Sequence, residues 1–259
     1  MNFSNKTILI TGASSGIGRE VAYKIAEKTN VNLILVARNI DMLNKVAKKC
    51  ESYEVVNVKI FSVDIGAKEQ VDELLNKLPN IDILINAAGY GIMKNFDEFD
   101  DEMIVNMFDV NVLGTLQLTM EIAKKMKERK EGSIVTIASL LGKISTPKSS
   151  IYSATKYALL GYFNSLRLEL KPFNVHVMMV NLGPVATNFF NVADDKEGSY
   201  LKALGSKTLS PQDVARKMVK GIETNKRELN LPFNMKIGTI LNVLFPKLGD
   251  KVLENMFRK

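Results

Sequence analysis

Short aliphatic runs alternate with longer amphipathic stretches along the whole chain. The runs at 7–10, 32–37, 55–63, 81–85, 133–138 and 175–180 are rich in Val, Ile, Leu and Met, and the last ones are nearly continuous. Such runs predict strands covered on both faces. Between them, 18–29, 42–50, 68–78, 101–129 and 149–171 carry apolar residues at helical spacing, as in Leu159, Phe163, Leu166 and Leu170. A further helix over 211–224 and a seventh strand near 227–231 complete the series. Strands alternating with helices build βαβ units, so the pattern predicts an α/β fold: a doubly wound, mostly parallel seven-stranded sheet with helices on both faces.

Composition supports one domain over residues 1–259, because 46% hydrophobic and 24% charged residues can bury a sheet and no repeat or linker interrupts the chain. The net charge of +7 comes from scattered Lys and Arg with acids interleaved, which does not mark a nucleic-acid surface. One cysteine, Cys50, and one histidine, His176, exclude an internal disulfide and a Cys/His metal cluster, and both are assigned to structure. No metal is expected. The opening residues lack a signal-peptide h-region and no segment is apolar for long enough to span a bilayer, so a cytoplasmic location is expected.

The first strand leads into Thr11-Gly12-Ala13-Ser14-Ser15-Gly16-Ile17-Gly18 and then a helix. This is the context of a Rossmann-like dinucleotide fingerprint, although a bare strand-to-helix turn would look similar in isolation. Gly12 permits a tight turn, Gly16 lets the backbone approach a pyrophosphate, and Gly18 allows the helix to pack closely. The helix N-terminus then offers unpaired N–H groups to phosphates. At the tip of the second strand stands Arg38, with no acid before Asp41. An acid there would bind a ribose 2′-OH, whereas arginine suits a 2′-phosphate, helped by Ser14 or Ser15. NADP(H) is therefore expected over NAD(H), against the alternative that Arg38 is only a solvated surface residue.

Tyr152 and Lys156 are four residues apart, hence on one face of the predicted helix. An ammonium beside a phenol favours the phenolate, and the helix N-terminus would act in the same direction. Alone the spacing is weak, since such pairs occur by chance. Ser139 ends a buried strand, where its hydroxyl can face a carbonyl oxygen. Asn111 lies within a predicted helix between Val110 and Val112, a poor place for Asn, which suggests a water site or a packing hydrogen bond.

Taken in order, Thr11 to Gly18, Asp64-Ile65, Asn86-Ala87-Ala88-Gly89, Asn111, Ser139, Tyr152-x-x-x-Lys156 and Asn181 to Thr187 resemble a one-domain short-chain dehydrogenase/reductase from about Thr7 to Thr224. The resemblance implies hydride transfer between NADP(H) and a small-molecule carbonyl or alcohol. It implies Tyr152 as general acid/base and Lys156 as the group that holds the nicotinamide ribose and lowers the tyrosine pKa. Ser139 would orient the carbonyl and Asn111 would keep a proton-relay water. Asp64 and Ile65 would flank the adenine, and Asn86, Ala87 and Ala88 would line the cofactor. Thr187 would hold the carboxamide, and Val185 in the same motif would contact the cofactor. Two positions depart from the family pattern: Ala87 stands in place of a second Asn, and Leu182 in place of a proline. Neither supplies a reacting atom.

Residues 187–209, with Phe189, Phe190, Asp194, Asp195 and Gly198, resemble the family's substrate lid, and weak order without ligand is expected. In the tail, 232–259, Phe233, Ile237, Ile240, Leu241, Leu244 and Phe245 form an apolar stripe between Pro232 and Pro246. That stripe would cover the pocket or a subunit contact of a homodimer or homotetramer; peripheral membrane contact through Lys236, Lys247 and Lys251 is the less favoured alternative. Apolar or acyl-chain ketones are the expected substrates. A nucleotide-sugar epimerase or dehydratase, and an NADPH-binding sensor without turnover, remain as competing readings.

Overall fold

The computed structural model describes residues 2–28, 30–53, 56–194, 198–205 and 208–257. Its strands are β1 (Thr7–Thr11), β2 (Val31–Ala37), β3 (Val56–Ser62), β4 (Ile83–Asn86), β5 (Gly132–Ser139), β6 (Val175–Leu182) and β7 (Glu228–Leu231). All pair in parallel, in the order β3-β2-β1-β4-β5-β6-β7. The chain order therefore reverses between β1 and β4, which opens a crevice beyond their carboxyl ends.

Burial on both faces follows from the unbroken apolar runs. Ile8, Ile10, Leu33, Leu35, Val135 and Val180 point to one core, while Leu9, Ile34, Val36, Ile134, Val177 and Met179 point to the other. The helices are α1 (Gly16–Ala26), α2 (Ile40–Cys50), α3 (Lys68–Lys77), α4 (Asp101–Phe108), α5 (Gly114–Arg129), α6 (Ser150–Leu170), α7 (Phe189–Ala193), α8 (Ser199–Leu204), α9 (Pro211–Glu223), α10 (Phe233–Leu244) and α11 (Pro246–Phe257). Residues of α1, α2 and α9 close the first core, and residues of α3, α5 and α6 close the second. Cys50 is buried at the end of α2, where burial pushes its thiol up to about 12, and His176 bonds through Nε2 to the Lys226 carbonyl at 2.8 Å. Both are structural positions.

Each expected strand and helix has a counterpart, with three informative differences. β4 starts at Ile83 rather than 81: at Asp82 the backbone N–H donates to the Thr7 carbonyl at 2.9 Å and the carbonyl accepts from the Ser133 N–H at 2.9 Å, while its carboxylate takes the Thr7 N–H at 2.8 Å, and the paired ladder of β4 follows from Ile83. β6 runs on to Leu182: without the proline usual there, the ladder continues against Ser139 and Leu231. The single helix expected over 101–129 is divided by a π turn, Asp109–Leu113, that widens the backbone around Asn111. Of the expected elements, Thr29 and residues 54–55 lie outside the described residues, as do residues 195–197 and 206–207 of the lid and 258–259 of the tail.

Candidate active site

The crevice at the sheet's carboxyl edge opens into a cavity of about 950 Å³. Gly12, Ser14, Ser15, Gly16, Ile17 and Gly18 form one end of it. Gly12 has φ +63°, and a Cβ there would come within 2.7 Å of the Ala87 carbonyl oxygen, so only glycine lets the two strand ends approach this closely. Gly18 presses on the Gly12 carbonyl, where a Cβ would sit at 2.4 Å. Ser15 precedes α1 in extended conformation, and its side chain makes no capping bond, which leaves the hydroxyl free for a ligand. The residues thus fit a dinucleotide: a bare backbone cradle, a helix N-terminus behind it and spare hydroxyls beside it.

Farther along the edge, Arg38, Asp64, Ile65, Ala87, Ala88, Val185 and Thr187 line the same cavity. The Arg38 side chain is 74% exposed and touches Asp64 only at 3.7 Å, so its guanidinium is available to a ligand. Ala87 and Ala88 donate their N–H groups to the Thr11 hydroxyl, each at 3.1 Å, which locks the two loops together. Asn86 does not join this wall. Its side chain turns into the core and donates to Thr119 and Thr136 at 2.9 and 3.2 Å, so its assignment to the cofactor surface is corrected to a sheet-bracing role.

Ser139, Tyr152 and Lys156 converge at the middle of the cavity. The Ser139 hydroxyl accepts from the Leu141 N–H at 3.1 Å and donates to the Leu182 carbonyl at 3.3 Å, a long bond that is easily exchanged for a substrate oxygen. Tyr152 and Lys156 share one face of α6, with the Lys156 ammonium 5.4 Å from the tyrosine ring centroid. Both are buried. Among the described residues, Lys156 Nζ has no hydrogen-bond or ion-pair partner, and burial pushes its pKa down to about 8.

The expected lowering of the tyrosine pKa is not found in the protein alone. Burial raises the Tyr152 phenol well above its ordinary value, and the hydrogen bond with Ser139 offsets only part of that. Loss of water costs the phenolate more than a desolvated ammonium at this distance returns. Tyr152 consequently rests as a proton donor.

Asn111 is buried and does not line the cavity. Its Oδ1 accepts from the Tyr90 N–H at 2.9 Å, while Nδ2 donates to the Tyr90 carbonyl at 2.8 Å and to the Thr155 hydroxyl at 3.2 Å. The side chain therefore clamps the Gly89-Tyr90 loop to α6 and acts on the site through those partners. Tyr90 and Thr155 were not anticipated; only the odd placement of an Asn between valines signalled this node.

The outer half of the cavity is apolar, lined by Met93, Leu141, Phe189, Phe190, Leu241 and Phe245. The stretch expected to act as a lid forms α7 and α8, and the tail folds back as the α10–α11 pair, with Pro246 opening a second helix directly after the first one stops. One face of α10, including Met235, Thr239 and Asn242, lines the cavity. The opposite face, Phe233, Ile237, Ile240 and Leu244, stays between 44% and 68% exposed.

A family model described as short chain dehydrogenase matches residues 6–198. An NADP-dependent 3-hydroxy acid dehydrogenase of Schizosaccharomyces pombe is 35% identical over 218 residues, covering 81% of this chain and 84% of that protein. Retinol dehydrogenase 8 of Bos taurus is 30% identical over 256 residues, covering 89% and 82% respectively. Among solved structures, a short-chain dehydrogenase from Sphingobium yanoikuyae in complex with NADPH superposes with a TM-score of 0.81 at 25% identity, covering 95% of this chain and 96% of that one.

Proposed function

This chain belongs to the short-chain dehydrogenase/reductase family and is an oxidoreductase of CH–OH and C=O groups, and we propose that it uses NADP(H) to interconvert apolar ketones or aldehydes with their alcohols. The observation that carries the proposal is the continuity of one cavity from the glycine cradle, past the unpartnered Lys156, to Tyr152 and Ser139. Neither competing reading is favoured: the relatives are named dehydrogenases, and a sensor has no use for a buried phenol beside a lysine.

In this reading Gly12, Gly16 and the start of α1 would receive the pyrophosphate, Arg38 and Ser14 or Ser15 the 2′-phosphate, and Thr187 the carboxamide, with Val185 beside the cofactor. The bound nicotinamide supplies or accepts the hydride. Lys156 donates to the ribose hydroxyls, which gives its buried ammonium the partner it lacks. Ser139 turns its hydroxyl to the substrate oxygen, and Tyr152, held protonated by burial, gives that oxygen a proton during reduction. Asn111 holds the Tyr90 backbone and α6 in register, and a relay water beside it would return the proton. The exposed outer face of α10 supports assembly into a homodimer or homotetramer, since a stripe of that kind is ordinarily covered.

The test is NADPH consumption against a panel of ketones, aldehydes and 3-oxoacyl compounds, with NADH run in parallel. Arg38→Asp removes a charge-assisted pair with the 2′-phosphate, a loss of about 1.5–3 kcal/mol. The NADPH-over-NADH preference in kcat/KM should fall by roughly 10- to 100-fold. An unchanged preference would retire Arg38 as the determinant.

A further inference from the structure

We propose that Phe189 selects the substrate by walling off one flank of Tyr152, so that the site takes carbonyl compounds with one small and one long apolar substituent; this deepens the oxidoreductase reading and rests on it. The Phe189 ring lies 5.6 Å from the Tyr152 ring at an interplanar angle of 57°. Behind both passes the backbone of Gly91. A Cβ at Gly91 would come within 2.8 Å of Phe189 Cζ and of Tyr152 Cδ2, so not even a methyl group fits between that backbone and the two rings. Between Gly91 and the two rings no space is left for a substituent.

The wall is also braced. Phe189 meets Phe190 edge-on at 5.2 Å, Phe190 stacks on Tyr200 at 6.4 Å, and Tyr200 meets Phe257 of α11 at 5.4 Å. The Tyr200 hydroxyl is tied to Thr146 at 2.7 Å. Phe189 is thereby fixed at the end of a row of rings that crosses from the lid to the tail, and each contact adds to its rigidity. Away from the Gly91 backbone the cavity continues past Leu241, Phe245 and Leu248, with room for an extended chain. A carbonyl carbon beside Tyr152 and Ser139 can carry a hydrogen or methyl toward Phe189 and a long apolar arm outward. The reverse placement, or two bulky arms, meets the ring.

The experiment compares a methyl alkyl ketone with its isomer of equal carbon number bearing the carbonyl at mid-chain, both followed by NADPH consumption. Wild-type protein should favour the methyl ketone by about 10- to 100-fold in kcat/KM, the discrimination that steric exclusion from an apolar pocket provides. Phe189→Ala should bring the ratio close to one by raising turnover of the mid-chain isomer, with NADPH affinity unchanged. Phe189→Leu, a milder truncation, should move the ratio in the same direction. Phe257→Ala, which removes the ring that braces Tyr200, should narrow the ratio partway. Equal turnover of the two ketones by wild type, or a ratio indifferent to both Phe189 variants, overturns the inference while leaving the oxidoreductase reading standing. Failure of every carbonyl compound to consume NADPH would remove that reading, and the inference with it.

Discussion

Tyr152→Phe is expected to lower turnover by about 10²- to 10⁴-fold, the usual contribution of a positioned proton donor, while NADPH binding is retained. The phenol oxygen is the one atom removed. The ring stays in its cluster with Met93, Met107, Ala193 and Tyr200, so packing around the site is preserved. Because burial holds the phenol protonated in the protein alone, the loss should be felt directly in carbonyl reduction. Fluorescence titration of NADPH beside steady-state kinetics separates the two effects. Turnover equal to wild type would show that the proton comes from elsewhere.

Lys156→Met carries the second large effect, and its signature lies in pH. Among the described residues the buried ammonium has no hydrogen-bond or ion-pair partner, and its pKa is pushed down to about 8 from an unfolded value of 10.5. Between those values the unfolded chain holds more protons than the native one, so this lysine makes stability rise with pH across that window. An anionic dinucleotide favours the charged form, so NADPH affinity should fall as pH rises through about 8. In Lys156→Met both slopes should vanish, and turnover near neutrality should drop by roughly 10²-fold or more as the tyrosine and ribose lose their positioning group. Calorimetric melting and NADPH titration from pH 7 to 10 measure both slopes. A variant with wild-type slopes would assign that titration to another group.

Most of the fold was legible because its strands are covered on both sides, and unbroken runs such as Val177, Met178, Met179 and Val180 announce this directly. The site was legible where function depends on residue type at a fixed element end: the glycines after β1, Ser139 at the end of β5 and the i, i+4 pair on α6. What escaped depends on where side chains turn after packing. Asn86 occupies a strand-end position like that of its neighbours Ala87 and Ala88, yet its side chain falls on the core side and bonds to Thr119 and Thr136. The π turn at Asp109–Leu113 leaves the apolar periodicity intact over too few residues to be distinguished from a regular helix. The tyrosine pKa was misjudged for a related reason: spacing places a lysine beside a phenol, but the depth of burial, which decides the sign, emerges only from the assembled lid and tail.

The claim on which everything else depends is that a carbonyl carbon can be held between the cofactor cradle and Tyr152 in the same cavity. Incubation with NADPH deuterated at the transferring position of its nicotinamide ring, followed by mass spectrometry of the alcohol formed from a methyl alkyl ketone, tests it most directly. The account predicts one deuterium on the carbinol carbon and a proton from solvent on its oxygen. An alcohol without the label, or NADPH bound but never oxidised by any carbonyl compound, would contradict it.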